Sequence, residues 1–104
     1  MTYFNIEQSP YSKNNEYCIR LKENGMKYFL PMKGSFSVLY ARLMGLTYPD
    51  FLCMISARYG ARIVGKNNLY PSIYFQTEQD AKNLAQELDK RLLYVLKTLR
   101  EELK

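Results

Sequence analysis

The side chains best suited to chemistry on an anionic partner are cations interleaved with aromatic rings. Between positions 20 and 66 the sequence carries eight basic residues against two acidic ones. Lys and Arg contact phosphates and aromatic rings stack on unpaired bases, so this pattern is typical of a surface for single-stranded nucleic acid. The candidate residues for such a surface are Arg20, Lys22, Lys27, Phe29, Arg62, Lys66, Tyr70 and Tyr74.

These residues also have an ordinary structural explanation. Lys and Arg on an exposed sheet face prevent edge-to-edge aggregation, and aromatic side chains on short strands commonly pack in a core. The sequence contains none of the signatures of RRM, KH, helix-turn-helix or zinc-finger modules. Nucleic-acid binding is therefore the second of two functional hypotheses.

The sequence offers no constellation of residues for catalysis. It has no His, which removes the commonest general base near neutral pH and the imidazole ligands of most catalytic zinc sites. Its two cysteines, Cys18 and Cys53, form no CxxC pair, and we expect Cys53 to be a small buried side chain. We therefore predict a protein that is not an enzyme, with no catalytic residue, metal site, cofactor or small-molecule substrate.

Length and composition are typical of a single globular domain. The chain has 104 residues, of which 47% are hydrophobic and 24% are charged, with a formal net charge of +5. No secretory leader or apolar membrane span is visible. Together with the absence of a disulfide framework, this predicts a cytoplasmic location. A composition rich in Lys, Asn, Ile and Tyr is typical of AT-rich genomes and favours a bacterium or the host cell of a phage.

The first clear structural signal is a β-hairpin over residues 17–30, after an N-terminal segment and loop at 1–16. Residues 17–22 and 26–30 alternate in polarity around Asn24 and Gly25, the dipeptide favoured in type I′ turns. The alternation predicts that Tyr17, Ile19 and Leu21 face the core. Within the N-terminal segment, residues 2–6 are a candidate edge strand.

Two short helices are predicted over 35–59. Ser35 is a candidate N-cap for the first helix, while Thr47 and Asp50 form a candidate capping box for the second, and Gly60 suits its C-terminal end. Residues 61–64 and 72–75 favour strands and predict a second hairpin over 61–75. Apolar residues at helical spacing then predict one long helix over 77–104.

The element order predicts an α+β fold in which two antiparallel hairpins, about four strands in all, pack against the two short helices and the long C-terminal helix. That helix, at about 39 Å, is longer than a domain of this size is wide. Its last turns carry a wide apolar surface that favours a partner, unless the end frays or the N-terminal segment covers it. The candidate interface residues are Leu92, Leu93, Tyr94, Leu96 and Leu99.

Two hypotheses follow. The first is a small non-catalytic interaction protein, a bacterial or phage accessory protein of the inhibitor or assembly type, which contacts another protein or a second copy of itself through the C-terminal helix and exposed aromatic side chains. The second is a small basic nucleic-acid-binding protein that uses the Lys, Arg, Tyr and Phe residues of its sheet face. Neither hypothesis involves a membrane.

Overall fold

A four-stranded antiparallel sheet and the helices packed on it form the frame of the protein. The computed structural model describes residues 2–10, 14–24, 36–65 and 72–102. The strands are β1 (Phe4–Gln8), β2 (Tyr17–Leu21), β3 (Ala61–Val64) and β4 (Ser72–Phe75), in the spatial order β1-β2-β4-β3. The helices of these ranges are α1 (Phe36–Leu43), α2 (Tyr48–Tyr59) and α3 (Glu78–Glu102). The predicted α+β fold is confirmed.

The first hairpin is built differently from the predicted one. It consists of β1 and β2, with Phe4 opposite Leu21 and Gln8 opposite Tyr17, whereas the Asn-Gly signal predicted that 17–22 would pair with 26–30. The backbone at Asn24 is helical, and residues 25–30 lie outside the described ranges. β1 pairs along one edge of β2, and on the other edge the described pairing with β4 is Tyr17 opposite Phe75. The predicted pairing of 17–22 with 26–30 falls on residues outside the described ranges and stays a prediction. The candidate edge strand near the N-terminus is confirmed as β1.

The ends of α2 follow from local side-chain chemistry. Its N-cap residue Thr47 accepts a hydrogen bond at Oγ1 from the backbone N–H of Asp50, with a distance of 3.3 Å. At the other end Gly60 adopts a left-handed conformation, with φ 63°, and its N–H bonds to the carbonyl of Ile55. The second hairpin and the start of α3 also lie where the sequence predicts them.

The core lies between the sheet and the three helices. Phe4, Leu21 and Phe75 bury their side chains from the sheet, and residues spaced three and four apart bury theirs from α3. The buried residues of α3 are Ala81, Leu84, Ala85, Leu88 and Leu92. The predicted inward face of β2 is confirmed, because Tyr17 and Ile19 pack against this core and Leu21 belongs to it.

Two positions differ from expectation. Cys53 is exposed on α2. The buried side of that helix consists of Phe51, Leu52 and Ile55, and Cys53 lies outside this stripe. Val95 is one of the apolar residues whose helical spacing predicts α3, yet it is 40% exposed. The last buried residue identified along α3 is Leu92, and ten further helical residues follow it.

The N-terminal end of β1 is tied to α3 and to the segment that follows β2. The carboxylate of Asp89 accepts a hydrogen bond from the backbone N–H of Tyr3, at 2.6 Å. The backbone N–H of Lys22 donates to the carbonyl of Tyr3, and its ammonium group donates to the hydroxyl of Thr2. These contacts hold the edge strand against the long helix.

Candidate functional site

The predicted cations of β2 and β3 lie on the side of the sheet that faces away from the core. Residues directly opposite one another on neighbouring strands project to the same face, and successive residues alternate. Arg62 is opposite Tyr74 and Arg20 is opposite Asn5, so all four lie on the face that the core does not use. We call this the outer face of the sheet.

Each of the two arginines on the outer face has an acidic partner within the fold. The guanidinium of Arg20 lies 2.7 Å from a carboxylate oxygen of Glu7. Arg62 makes two hydrogen bonds to Glu16, at 2.6 and 3.1 Å, and its guanidinium carbon lies 4.9 Å from the centre of the Tyr74 ring. The Arg62 side chain therefore extends from β3 across β4, over the Tyr74 ring, to the carboxylate of Glu16, the residue that precedes β2.

Glu16 makes the second of these ion pairs a part of the fold. Its side chain is only 5% exposed, and a buried carboxylate requires a partner for its charge. The hydrogen bonds from Arg62 supply one, and they raise the pKa of the guanidinium above its ordinary value. Binding of a phosphate by Arg62 would have to compete with Glu16.

The other predicted nucleic-acid residues do not complete a phosphate site. Lys22 donates its ammonium hydrogen bond to Thr2, near the edge of the sheet. Four predicted residues lie outside the described ranges, namely Lys27, Phe29, Lys66 and Tyr70. The structure thus brings Arg62 and Tyr74 together as a stacked pair, and it balances Arg20 and Arg62 with carboxylates.

The second candidate surface is on α3 beyond the sheet. Leu93 is 44% exposed and Tyr94 is 73% exposed, next to the buried Leu92. Lys90 and Lys97 are exposed as well. Because positions i, i+3, i+4 and i+7 share one side of an α-helix, these four residues lie together. We call the set Lys90, Leu93, Tyr94 and Lys97 the distal face of α3.

Other predicted interface residues belong to the core side of the helix. Leu92 is buried at 3% exposure, so the prediction that it lies on an exposed interface surface is wrong. Leu96 is half-buried against the core, and its part in an interface stays a prediction. Both leucines continue the stripe of Leu84 and Leu88 at helical spacing, which turns them inward. The side chain of Leu99 lies outside the described residues.

Sequence reasoning did not include Lys90 and Lys97 in this surface, although their spacing around Leu93 and Tyr94 predicts that they share its side of the helix. They stand seven residues apart, about 10.5 Å along the axis of α3, with the two apolar residues midway between them. In the part of α3 whose side chains are described, neither ammonium group forms an ion pair. The distal face is therefore an apolar pair between two positive charges.

The helix presents this face from a firmly held base. Next to Lys90, Arg91 pairs with Glu87 at 3.0 Å and donates a hydrogen bond to the carbonyl of Met44, just after the end of α1, at 3.4 Å. Leu88 and Leu92 fix the same turns in the core. The position of Leu93 and Tyr94 is thus set by the packing of α3 and not by a loop.

Among residues 2–10, 14–24, 36–65 and 72–102, no group of three or more Cys, Asp or Glu side chains is placed to hold a metal ion. In the same ranges, none of the helices combines the length and apolar character required to cross a membrane. Comparison with protein-family models, with curated protein sequences and with solved structures finds no match.

Proposed function

We propose that this chain is a non-catalytic interaction protein that binds an acidic polypeptide through the distal face of α3. The observation that carries the proposal is the exposure of Leu93 and Tyr94, side by side, on a helix whose opposite side is buried in the core. Exposed apolar side chains that form a cluster are characteristic of binding surfaces, and Tyr is enriched among the residues that dominate binding energy.

The flanking charges support a partner that carries carboxylates. Lys90 and Lys97 border the apolar pair on one side of the helix. Opposite charge at the rim of an interface accelerates association, and like charge opposes it. A polypeptide with apolar side chains bordered by Asp or Glu matches this surface.

The same charges count against a second copy of this chain as the partner. If two copies pack in parallel with their apolar pairs in contact, each Lys90 and each Lys97 meets its own counterpart. If they pack antiparallel about the same point, Lys90 of each copy meets Lys97 of the other. Since like charges face each other in both arrangements, we propose a different polypeptide and not a homodimer.

The alternative function, nucleic-acid binding, has less support from the contacts of the outer face. Arg20 and Arg62 are paired with Glu7 and Glu16, so the outer face presents balanced charges at these positions. Binding to phosphates depends on uncompensated cations and weakens linearly with the logarithm of salt concentration. This function stays a prediction that a salt titration with a generic oligonucleotide tests.

The proposal is tested by titrating the full chain with a synthetic helical peptide that carries apolar residues bordered by glutamates. We expect saturable binding, detected by calorimetry and by NMR shifts of the amides from Lys90 to Lys97. The double variant Leu93→Gln, Tyr94→Gln removes the apolar pair and is expected to weaken binding about tenfold or more. Gln86→Ala, one to two turns earlier on the exposed side of α3, is the matched control.

Three results would overturn the proposal. One is equal affinity of the wild type and the double variant for the peptide. Another is a dimer in sedimentation that the double variant converts to a monomer, which would identify a second copy as the occupant. The third is salt-dependent binding of a generic oligonucleotide together with no binding of the peptide.

A further inference from the structure

We infer that the partner is an α-helix that lies along α3 and presents two adjacent apolar side chains between two carboxylates seven residues apart. This inference rests on the proposed function and specifies the pattern that the distal face recognises. It follows from the spacing of four side chains that the structure describes, Lys90, Leu93, Tyr94 and Lys97.

The distance between the two lysines selects the secondary structure of the partner. Lys90 and Lys97 are about 10.5 Å apart along α3 and point to the same side. In an extended strand, about 10 Å corresponds to three residues, and residues three apart project to opposite faces. In a helix, residues seven apart are about 10.5 Å apart and share one side. A helix therefore matches the spacing of the two lysines from one continuous face, whereas an extended strand would have to rely on the reach of the lysine side chains.

The apolar pair requires the same arrangement. Leu93 and Tyr94 stand three and four residues from each lysine. A partner with carboxylates at positions 1 and 8 and apolar residues at positions 4 and 5 repeats this spacing, so its apolar pair meets Leu93 and Tyr94 when its carboxylates reach the lysines. Two helices that cross at about 20° remain in contact over these two turns.

An anionic membrane surface is the less favoured binder of the distal face. A helix that lies on a membrane buries a wide apolar face along its length. In α3 the main apolar stripe, from Ala81 to Leu92, is already buried in the core, and the exposed residues before Lys90, such as Lys82, Asn83 and Gln86, are polar. The distal face has the length of two helical turns, which suits one segment of a partner helix.

Two synthetic helical peptides of identical composition test the inference. Both carry leucines at positions 4 and 5; the first has glutamates at positions 1 and 8, and the second has them at positions 3 and 6, on the opposite side of the peptide helix. We expect the full chain to bind the first peptide about tenfold more tightly at low salt, with a smaller difference at high salt. Anionic phospholipid vesicles form a third arm.

A charge-reversed protein provides the decisive comparison. Lys90→Glu, Lys97→Glu changes two exposed side chains, so circular dichroism and the unfolding midpoint are expected to stay close to those of the wild type. This variant should lose its preference for the first peptide and bind more tightly to a version with lysines at positions 1 and 8. Recovery of affinity with the reversed pair shows that charge and spacing are recognised together.

The outcomes separate the inference from the proposed function. If both glutamate peptides bind equally at the distal face, the spacing rule is wrong and the proposed function stands. If neither peptide binds the protein, both are wrong. If the vesicles bind at the distal face and the peptides do not, the helical partner is overturned in favour of a lipid surface.

Discussion

At the scale of single residues, Asp89 joins the helix that carries the candidate site to the first strand. It is 9% exposed, and its carboxylate accepts a hydrogen bond from the Tyr3 N–H. Burial raises the pKa of this carboxyl above its ordinary value, while the Tyr3 amide and the ammonium of Lys22 act in the opposite direction. The charge of Asp89 therefore costs stability, although its hydrogen bond contributes stability.

Two substitutions separate the effect of the buried charge from the effect of the hydrogen bond. Since the pKa of Asp89 is higher in the folded state, the stability linked to its protonation is fully present below the unfolded pKa and is lost as pH rises through the folded pKa. Asp89→Asn keeps an acceptor for Tyr3 without a charge, so it should be at least as stable as the wild type at pH 7. Its advantage should shrink as pH falls through the raised folded pKa of Asp89 towards the ordinary Asp value of about 4.

The control is Asp89→Ala, which leaves the buried Tyr3 N–H without this acceptor and should cost about 2 kcal/mol at pH 7. Urea unfolding of both variants and the wild type at several pH values measures these differences. If the stability advantage of Asp89→Asn over the wild type grows on acidification, the buried charge of Asp89 is not what destabilises the fold.

Pairs of distant residues are also where sequence reasoning stops. Arg62 and Glu16 are 46 positions apart, and Tyr3 and Asp89 are 86 apart. No local pattern links such residues, because their meeting depends on the order of strands in the sheet. The sequence identified Arg62 as a surface cation but contained no sign that a buried carboxylate would hold it, so the predicted phosphate site lost one of its main charges.

At the scale of elements, signals confined to a few residues were reliable. The cap residues Thr47 and Gly60 delimit α2, and the short strands β3 and β4 lie at the predicted positions. The Asn-Gly dipeptide states a preference for a turn but not the identity of every partner strand, and the predicted pairing with 26–30 lies outside the described residues. β2 pairs with β1, which the dipeptide did not predict, and this pairing buries Phe4 beside Leu21.

The left-handed backbone conformation of Gly60, at the end of α2, can be tested by substitution. Gly60 has φ 63°, and a Cβ atom at this position would have Asp80 Oδ2 at 3.7 Å as its nearest neighbour, an ordinary contact. Gly60→Ala therefore tests the left-handed conformation without a clash, and it should lower the free energy of unfolding by about 1 to 2 kcal/mol. Asn tolerates this conformation better, so Gly60→Asn should cost less.

Urea unfolding with a common slope for the three proteins measures this ranking. Ala and Asn variants of equal stability would show that the backbone conformation of residue 60 does not limit the stability of the fold. The exposed Ala57→Gly change inside α2 serves as a comparison, because it lowers helix propensity by about 1 kcal/mol without altering either end of the helix.

At the scale of the whole molecule, α3 serves two purposes along its length. Its first part closes the core, and its later turns carry the distal face past the last buried leucine. The molecule measures 49 × 27 × 23 Å, so it is elongated, in agreement with the expectation that the helix exceeds the width of its domain. The sequence predicted a partner surface with Leu93 and Tyr94 from this argument of length, and the helical spacing of Leu92 and Leu96 with Leu84 and Leu88 already contained the signal that those two leucines turn inward.

This division predicts a protein that folds as a monomer. The core is complete without the distal face, and the like charges of Lys90 and Lys97 oppose the pairing of two copies through it. The urea midpoint should therefore be the same at about 2 and about 200 µM protein, whereas a folded dimer would gain about 2.7 kcal/mol over this range.

The free energy of unfolding of the double variant Leu93→Gln, Tyr94→Gln should stay within about 0.5 kcal/mol of the wild type, while that of Leu88→Ala, at a fully buried position of the same helix, should fall by about 3 kcal/mol. A midpoint that rises with concentration, and that the double variant makes independent of concentration, would show that the distal face is a homodimer interface and that folding depends on it.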